Sequence, residues 1–121
     1  MYVCDADIIK AFENHEKVIE GIRAGRFMVL DSKVMRIYVF RGIERDYVVS
    51  PCSFCMCYDF LINVLSRRTK IACYHVVGFE IARLKGKLHV VRVEPEELAE
   101  IVIEIAVQGF SYTLRRIVGK H

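Results

Sequence analysis

The sequence predicts a single α+β domain over residues 1–121, in which an N-terminal helix and a β meander precede a cysteine-rich segment. Three observations lead to this prediction. Apolar residues recur at helical spacing over residues 7–24. Residues 26–50 are rich in β-branched and aromatic side chains and are divided by turn residues. The last third contains a strand-like segment and then a Glu-Pro-Glu-Glu run at 94–97 that opens an apolar helix.

Local signals set the expected bounds of each element. Asp5 or Asp7 caps the first helix, and Gly25 ends it. Further along the chain we expect strands at 26–30, 34–40 and 45–50, helices at 58–68 and 74–85, a strand at 87–93, and a C-terminal helix at 95–108 that ends at Gly109. The tail 110–118 fits both alternation and the helical period, so its structure stays open.

The composition is that of an apolar, mildly basic chain. Apolar residues make up 54%, the mean hydropathy is +0.27, and the net charge is +3 at pH 7. Globular chains carry roughly 45–50% apolar residues, so the excess indicates either an interface with another chain or a dense β-rich core. Both interpretations stay open. The charge permits contact with nucleic acid without requiring it.

Targeting and membrane signals are also informative. No segment reaches the roughly 18 consecutive apolar residues of a membrane span. The most apolar run, 98–107, is interrupted by Glu100 and Glu104. The N-terminus lacks the basic region that precedes the apolar stretch of a secretory signal. We therefore expect an intracellular protein, cytoplasmic or nuclear, with no membrane partner.

Five cysteines in an intracellular chain indicate metal binding or catalysis rather than disulfides. Cys4 stands apart from the others and is expected to be a bystander. The pairs Cys55-x-Cys57 and Cys73-x-His75 are separated by fifteen residues, a spacer long enough to fold back and bring them together. Structural zinc takes four such sulfur and nitrogen ligands in a tetrahedron. Spacing alone also allows a Cys-x-x-Cys first pair at 52–55, and free cysteines can simply be buried.

Enzymatic interpretations fit the sequence less well. Pro51-Cys52-x-x-Cys55 matches half of the zinc deaminase signature, but that chemistry also needs a His-x-Glu motif upstream. The one candidate, His15-Glu16, lacks the intervening residue. A redox Cys-x-x-Cys requires a thioredoxin-like βαβ context, which the order of elements does not provide. Zinc with four protein ligands has no open position for water, so we expect no enzymatic activity.

The segment from Tyr47 to about Leu84, roughly a third of the chain, resembles the SWIM zinc finger. Its pattern is Cys-x-Cys, a variable spacer, and then Cys-x-His. More narrowly, the segment resembles the small SWIM proteins of the Shu complex, which act in homologous recombination. In those proteins another cysteine precedes the Cys-x-Cys, with two residues between them, as Cys52 does here. The resemblance implies a finger core at about 47–85 with two helices, one structural zinc, and Cys52 as a spectator. By the same resemblance the zinc ligands are Cys55, Cys57, Cys73 and His75.

The sequence departs from the family at two positions. Members often carry proline after the Cys-x-Cys and lysine between the last cysteine and histidine, where this chain has Tyr58 and Tyr74. The missing lysine removes a charge beside the metal. The remaining candidates for contact with single-stranded DNA are Arg67, Arg68 and Lys70, on the connector between the ligand pairs. The alternative is that these three residues form a solvated positive face.

The C-terminal helix is the candidate partner surface. Since it is apolar almost all round, it must be covered on most sides, either by the chain's own core or by a partner. We predict an interface at Leu98, Ile101, Val102 and Ile105. The resemblance implies that the partner is a RecA-like ATPase paralogue, and a homo-oligomer is also possible. The expected function is an accessory role in recombination or DNA repair on the chromosome. The alternative is a general SWIM interaction module with no role in DNA metabolism.

Overall fold

A computed structural model describes residues 3–119 and confirms the α+β class. One five-stranded sheet lies between helices on both of its faces. The strands are β1 (Phe27–Asp31), β2 (Arg36–Arg41), β3 (Asp46–Ser50), β4 (Phe54–Cys55) and β5 (His89–Arg92). The helices are α1 (Ala6–Phe12), α2 (Glu16–Arg23), α3 (Tyr74–Leu84), α4 (Pro95–Gln108) and α5 (Tyr112–Val118), and a π-helical segment spans Phe60–Ser66.

The sheet extends the predicted meander on both sides. Its order is β4-β3-β2-β1-β5, with antiparallel pairing from β1 to β4 and parallel pairing between β1 and β5. The prediction of three meandering strands is therefore confirmed for β1–β3. The cysteine-rich segment begins at one edge of the sheet, and β5 lies at the other.

Side chains on the two faces of the sheet form two separate cores. Phe27 and Phe40 lie on one face and pack with α3, where the ring of Phe79 meets that of Phe27 edge-on at a centroid distance of 5.1 Å. Met28 and Leu30 alternate with Phe27 along β1 and pack on the other face against α4 and α5. The alternation along β1 thus connects the cysteine-rich half of the chain to its C-terminal helices.

The prediction of one helix over 7–24 is wrong, because the structure has two helices there. Asp5 caps α1 by accepting a hydrogen bond from the Ile8 amide (2.9 Å). His15 has an extended backbone (φ −66°, ψ 128°), and its Nδ1 accepts from the Lys17 amide (3.2 Å). An N-cap at this position starts a new helix, which lets α2 change direction while both helices keep their apolar stripes inward.

The bounds predicted for α4 are confirmed. Glu94 and Glu97 form a reciprocal capping box at its start. Gly109 ends it in the left-handed conformation (φ 74°), which a residue without Cβ adopts at little cost. None of the helices within residues 3–119 is both long enough and apolar enough to cross a bilayer.

The predicted partner interface on α4 is wrong for three of its four residues. Leu98, Ile101 and Ile105 are at most 4% exposed and belong to the chain's own core, whereas Val102 is half-buried. The reason is the tail, residues 110–118, whose structure the sequence pattern did not decide. It folds as α5, and Leu114 from this helix is completely buried against the same cluster.

Polar contacts hold α5 against α4. Glu104 accepts hydrogen bonds from the Ser111 hydroxyl (2.7 Å) and from the amide and hydroxyl of Thr113 (3.1 and 2.9 Å). These bonds to the charged form lower the pKa of Glu104, in opposition to desolvation by burial, which raises it. The glutamate that interrupts the apolar run therefore anchors the next helix.

Candidate metal centre

Three adjoining pieces of backbone position the predicted ligands. Cys55 ends β4, where it pairs with Val49 of β3, and Cys57 follows two residues later. The π-helical segment and a short connector then return the chain to α3. Cys73 is the N-cap of α3 (φ −95°, ψ 163°), and His75 lies in its first turn. The predicted helix after the Cys-x-Cys is thus present, in the wider π form.

The structure brings the four predicted ligands together. One ligand atom from each of Cys55, Cys57, Cys73 and His75 lies within 4.8 Å of all the others, and all four residues are buried. Cys55 Sγ is 3.7 Å from His75 Nδ1. In a zinc tetrahedron with the usual bond lengths, ligand atoms stand about 3.6–3.8 Å apart. The distance between Cys55 Sγ and His75 Nδ1 therefore matches that spacing, and the other ligand atoms lie within 4.8 Å of one another, close enough to share one metal ion.

Backbone donors surround the sulfur atoms. The Cys57 amide donates to Cys55 Sγ and the Phe60 amide donates to Cys57 Sγ, each at 3.4 Å. Cys73 lies at the positive end of the α3 dipole. Amide donors and a helix N-terminus both favour thiolate over thiol, which is the form that binds a metal.

The thiols perturb one another. Hydrogen bonds from Cys55 and Cys73 lower the pKa of Cys57, while donation to Cys57 and Cys73, together with burial, raises the pKa of Cys55. One negative charge is thus readily accommodated in the cluster, whereas further thiolates repel it. A dication held by these residues would supply the positive charge that lets the remaining thiols lose their protons.

Aromatic rings enclose His75. Its ring centroid lies 4.0 Å from that of Tyr74, 4.4 Å from Phe40 and 5.1 Å from Tyr47. Burial, followed by the neighbouring Tyr47, raises the pKa of Tyr74 to about 12. Within residues 3–119, Nε2 of His75 is buried with no hydrogen-bond partner, and Nδ1 has only the Cys55 sulfur. A buried imidazole without polar partners is costly. Coordination of a metal by Nδ1, which faces the Cys55 sulfur, would give that nitrogen a strong partner, so the chemistry of the donor set fits a metal such as zinc.

Cys52 takes no part in the cluster. It forms a disulfide with Cys4, 48 residues earlier, and the Val3 amide donates to the Cys52 carbonyl (2.8 Å). The alternative first ligand pair, Cys52 and Cys55, is therefore not the pair that the fold brings into the cluster. The expectation that Cys4 is a bystander and that the cysteines avoid disulfides is wrong for this pair. The N-terminal segment returns to the loop before β4, and no local spacing signals that return.

The candidate DNA contacts lie on the surface beside the centre. Arg67, Arg68 and Lys70 are all exposed, but the ammonium of Lys70 pairs with the Asp59 carboxylate at 3.0 Å. The two arginines form no ion pair within 4.0 Å among the described residues. They are therefore the more available of the three for a phosphate.

The two tyrosines that follow the first ligand pair and lie within the second, Tyr58 and Tyr74, differ in exposure. Tyr58 is 76% exposed, so its ring is free to stack on a base. Tyr74 is half-buried and already stacks on His15, with a centroid distance of 5.7 Å, while the Lys17 ammonium lies 5.6 Å from its ring. Of the two, Tyr58 is the better candidate for a stacking contact.

Comparison of the chain with protein-family models, with curated proteins and with solved structures finds no match in any of the three. The α+β fold and the buried Cys₃His group therefore rest on this chain's own residues.

Proposed function

We propose that this chain is a SWIM-type zinc protein that acts, without catalysis, as an accessory factor in homologous recombination or DNA repair. One observation carries the proposal. The Cys-x-Cys and Cys-x-His pairs that define the SWIM pattern converge, and Cys52, the extra cysteine of the Shu-type pattern, stays outside the group. A general SWIM interaction module without a role in DNA metabolism is the second candidate.

A structural role suits the centre better than a catalytic one. Each of its four ligands is at most 5% exposed. Three thiolates and one imidazole would complete the tetrahedral coordination of a zinc ion and leave no position for water or substrate. The centre joins β4 to α3, and α3 packs against β1 through Phe79 and Phe27. Zinc would thus stabilise the metal-binding half of the domain.

Contact with single-stranded DNA is tested at the two unpaired arginines. If they bind phosphates, Arg67→Ala combined with Arg68→Ala weakens binding to an oligo-dT strand. The slope of log affinity against log salt then falls by roughly 0.7 for each phosphate that is no longer neutralised. Fluorescence anisotropy across a salt series measures both effects. Arg116→Ala, at an exposed arginine of α5, is the matched control and leaves the slope unchanged. An unaltered slope in the double variant assigns the arginines to solvent.

The proposed RecA-like partner has an apolar groove available to it. The groove has a volume of about 400 Å³ and lies between the β1–β2 turn and α4. Val34, Met35 and Ile103 along it are 78%, 54% and 61% exposed, and Val102 lies between them. Exposed aliphatic side chains each forgo about 1.5–3 kcal/mol relative to burial. A partner that covers this groove regains part of that free energy. We therefore place the proposed interface on the outer side of α4 rather than on its buried side.

The partner is tested by purification of the chain from its native cells and identification of the proteins bound to it. We expect a RecA-like ATPase, and we expect Ile103→Lys to release it while zinc remains bound. Lys33→Ala, on the same turn but not apolar, is the control that retains the ATPase. Reproducible partners without such an ATPase favour the general interaction module.

A further inference from the structure

The strand β5 forms an open edge of the sheet. It pairs with β1 alone, and within residues 3–119 no other strand or side chain hydrogen-bonds to its outer side. The Val93 amide donates to the Asp31 carbonyl (3.0 Å), so Val91, two residues earlier, also directs its backbone groups towards β1. The amides and carbonyls of Val90 and Arg92 therefore point outward, away from the sheet.

Exposed cations border this edge. Lys85, Lys87 and Arg92 are exposed, and none of them forms an ion pair within 4.0 Å among the described residues. Apolar surface lies among these charges, since Val90 is 55% exposed and Leu84 is 59% exposed. The edge thus offers main-chain hydrogen bonds and an apolar contact, and the lysines at its start add positive charge. At its end, Arg92 shares a pocket with Asp31, Glu94 and Glu97.

We propose that the β5 edge binds an extended, acidic segment of a partner protein, which adds to the sheet as a sixth strand. The outward backbone groups of Val90 and Arg92 supply the main-chain hydrogen bonds. Alternate side chains of the incoming segment meet this edge on one face of the sheet, where an apolar residue contacts Val90. Acidic residues, which alternate with the apolar ones along the segment, pair with Lys87 at the start of the edge.

The pattern of charge selects this occupant. A second copy of the chain brings its own lysines and arginine to the same edge, and like charges that face each other across strands are unfavourable. Nucleic acid uses the cations but leaves the outward amides of Val90 and Arg92 unpaired. An acidic strand satisfies both the charges and the backbone. This inference does not depend on the proposed role in recombination.

The test uses a fluorescein-labelled peptide of alternating glutamate and valine as the probe, with a lysine–valine peptide of equal length as its control. We expect the acidic peptide to bind and the basic one to bind at least about tenfold more weakly. On binding, the amides of Val90 and Arg92 gain protection from hydrogen exchange. Equal binding of the two peptides, or no protection at these amides, overturns the proposal.

Two substitutions at Val90 separate backbone pairing from charge. Val90→Pro removes one outward N–H and is compatible with an edge strand, so it keeps the fold and lowers peptide affinity by about tenfold or more. Val90→Thr retains the N–H and serves as the matched control. Circular dichroism and zinc content verify the fold of both variants.

Charge reversal at Lys87 completes the test. Lys87→Glu is expected to weaken binding of the acidic peptide and to strengthen binding of the basic one. If this change instead abolishes binding of oligo-dT while Val90→Pro has no effect on either ligand, the edge is a nucleic-acid surface and the proposal fails. Self-association that Val90→Pro abolishes assigns the edge to a second copy and also overturns it.

Discussion

Cys57→Ser and His75→Ala are each expected to abolish zinc binding and to unfold the region 52–85. Structural zinc contributes an apparent ~10–16 kcal/mol in finger peptides, which is comparable to the whole stability of a domain, about 5–15 kcal/mol. The fold offers no substitute for the metal. The four ligands are buried, and without a metal the thiols and the imidazole are left mainly with one another as partners. Elemental analysis and circular dichroism of the purified variants measure the two effects.

The wild-type chain is expected to hold one zinc, with zinc–sulfur distances of about 2.3 Å and a zinc–nitrogen distance of about 2.0–2.1 Å by X-ray absorption. Cys52→Ser is the matched control, because Cys52 lies three residues before Cys55 and yet outside the cluster. Under reducing conditions this variant should keep its zinc and its fold, as should Cys4→Ser. Loss of zinc from Cys52→Ser but not from Cys57→Ser would refute the ligand set. Absence of any metal from wild-type protein purified without chelators would refute zinc itself.

The parts of this structure that the sequence predicted well depend on short-range signals. The ligand pairs are each three residues long, and the two caps of α4, Glu94 and Gly109, are determined by residues within one turn. Each signal constrains its own backbone directly, so the surroundings have little power to override it. The bounds of α4 were therefore accessible without a structure, and the resemblance, rather than spacing alone, singled out the four residues of the Cys₃His group.

The parts that the sequence did not predict depend on long-range pairing. The Cys4–Cys52 disulfide joins residues 48 positions apart. The parallel pairing of β5 with β1 depends on the path of the whole chain between them, which no property of a four-residue strand encodes. The break before His15 was missed because an imidazole that caps a helix is uncommon beside serine, threonine, aspartate and asparagine.

The burial of α4 shows how the undecided structure of residues 110–118 changed a functional prediction. Without α5, the apolar face of α4 is too wide for the rest of the chain to bury, and a partner has to be inferred. Once 110–118 is a helix, Leu114 covers that face, and Glu104 fixes the helix through Ser111 and Thr113. The periodicity of nine residues could not decide between strand and helix, so the buried and exposed sides of α4 could not be distinguished.

Ile101→Lys is expected to unfold the chain or leave it insoluble, whereas Ile103→Lys, two residues along the same helix, keeps the fold. Ile101 is completely buried between the sheet and α5, while Ile103 is 61% exposed. An unpaired charge at the buried position costs at least about 4 kcal/mol, a large part of the stability of a small domain. At the exposed position the change should lie within about 0.5 kcal/mol, because lysine is a good helix former and stays in water.

Urea denaturation followed by circular dichroism compares the two variants, and elemental analysis verifies that Ile103→Lys retains its zinc. The same pair distinguishes the core from the proposed interface, since Ile101 lies in the core and Ile103 lines the groove proposed for a partner. If Ile101→Lys folds with wild-type stability, the core between α4 and α5 is incorrect. If Ile103→Lys unfolds the chain, the outer side of α4 is not a free surface, and the groove is no longer available to a partner.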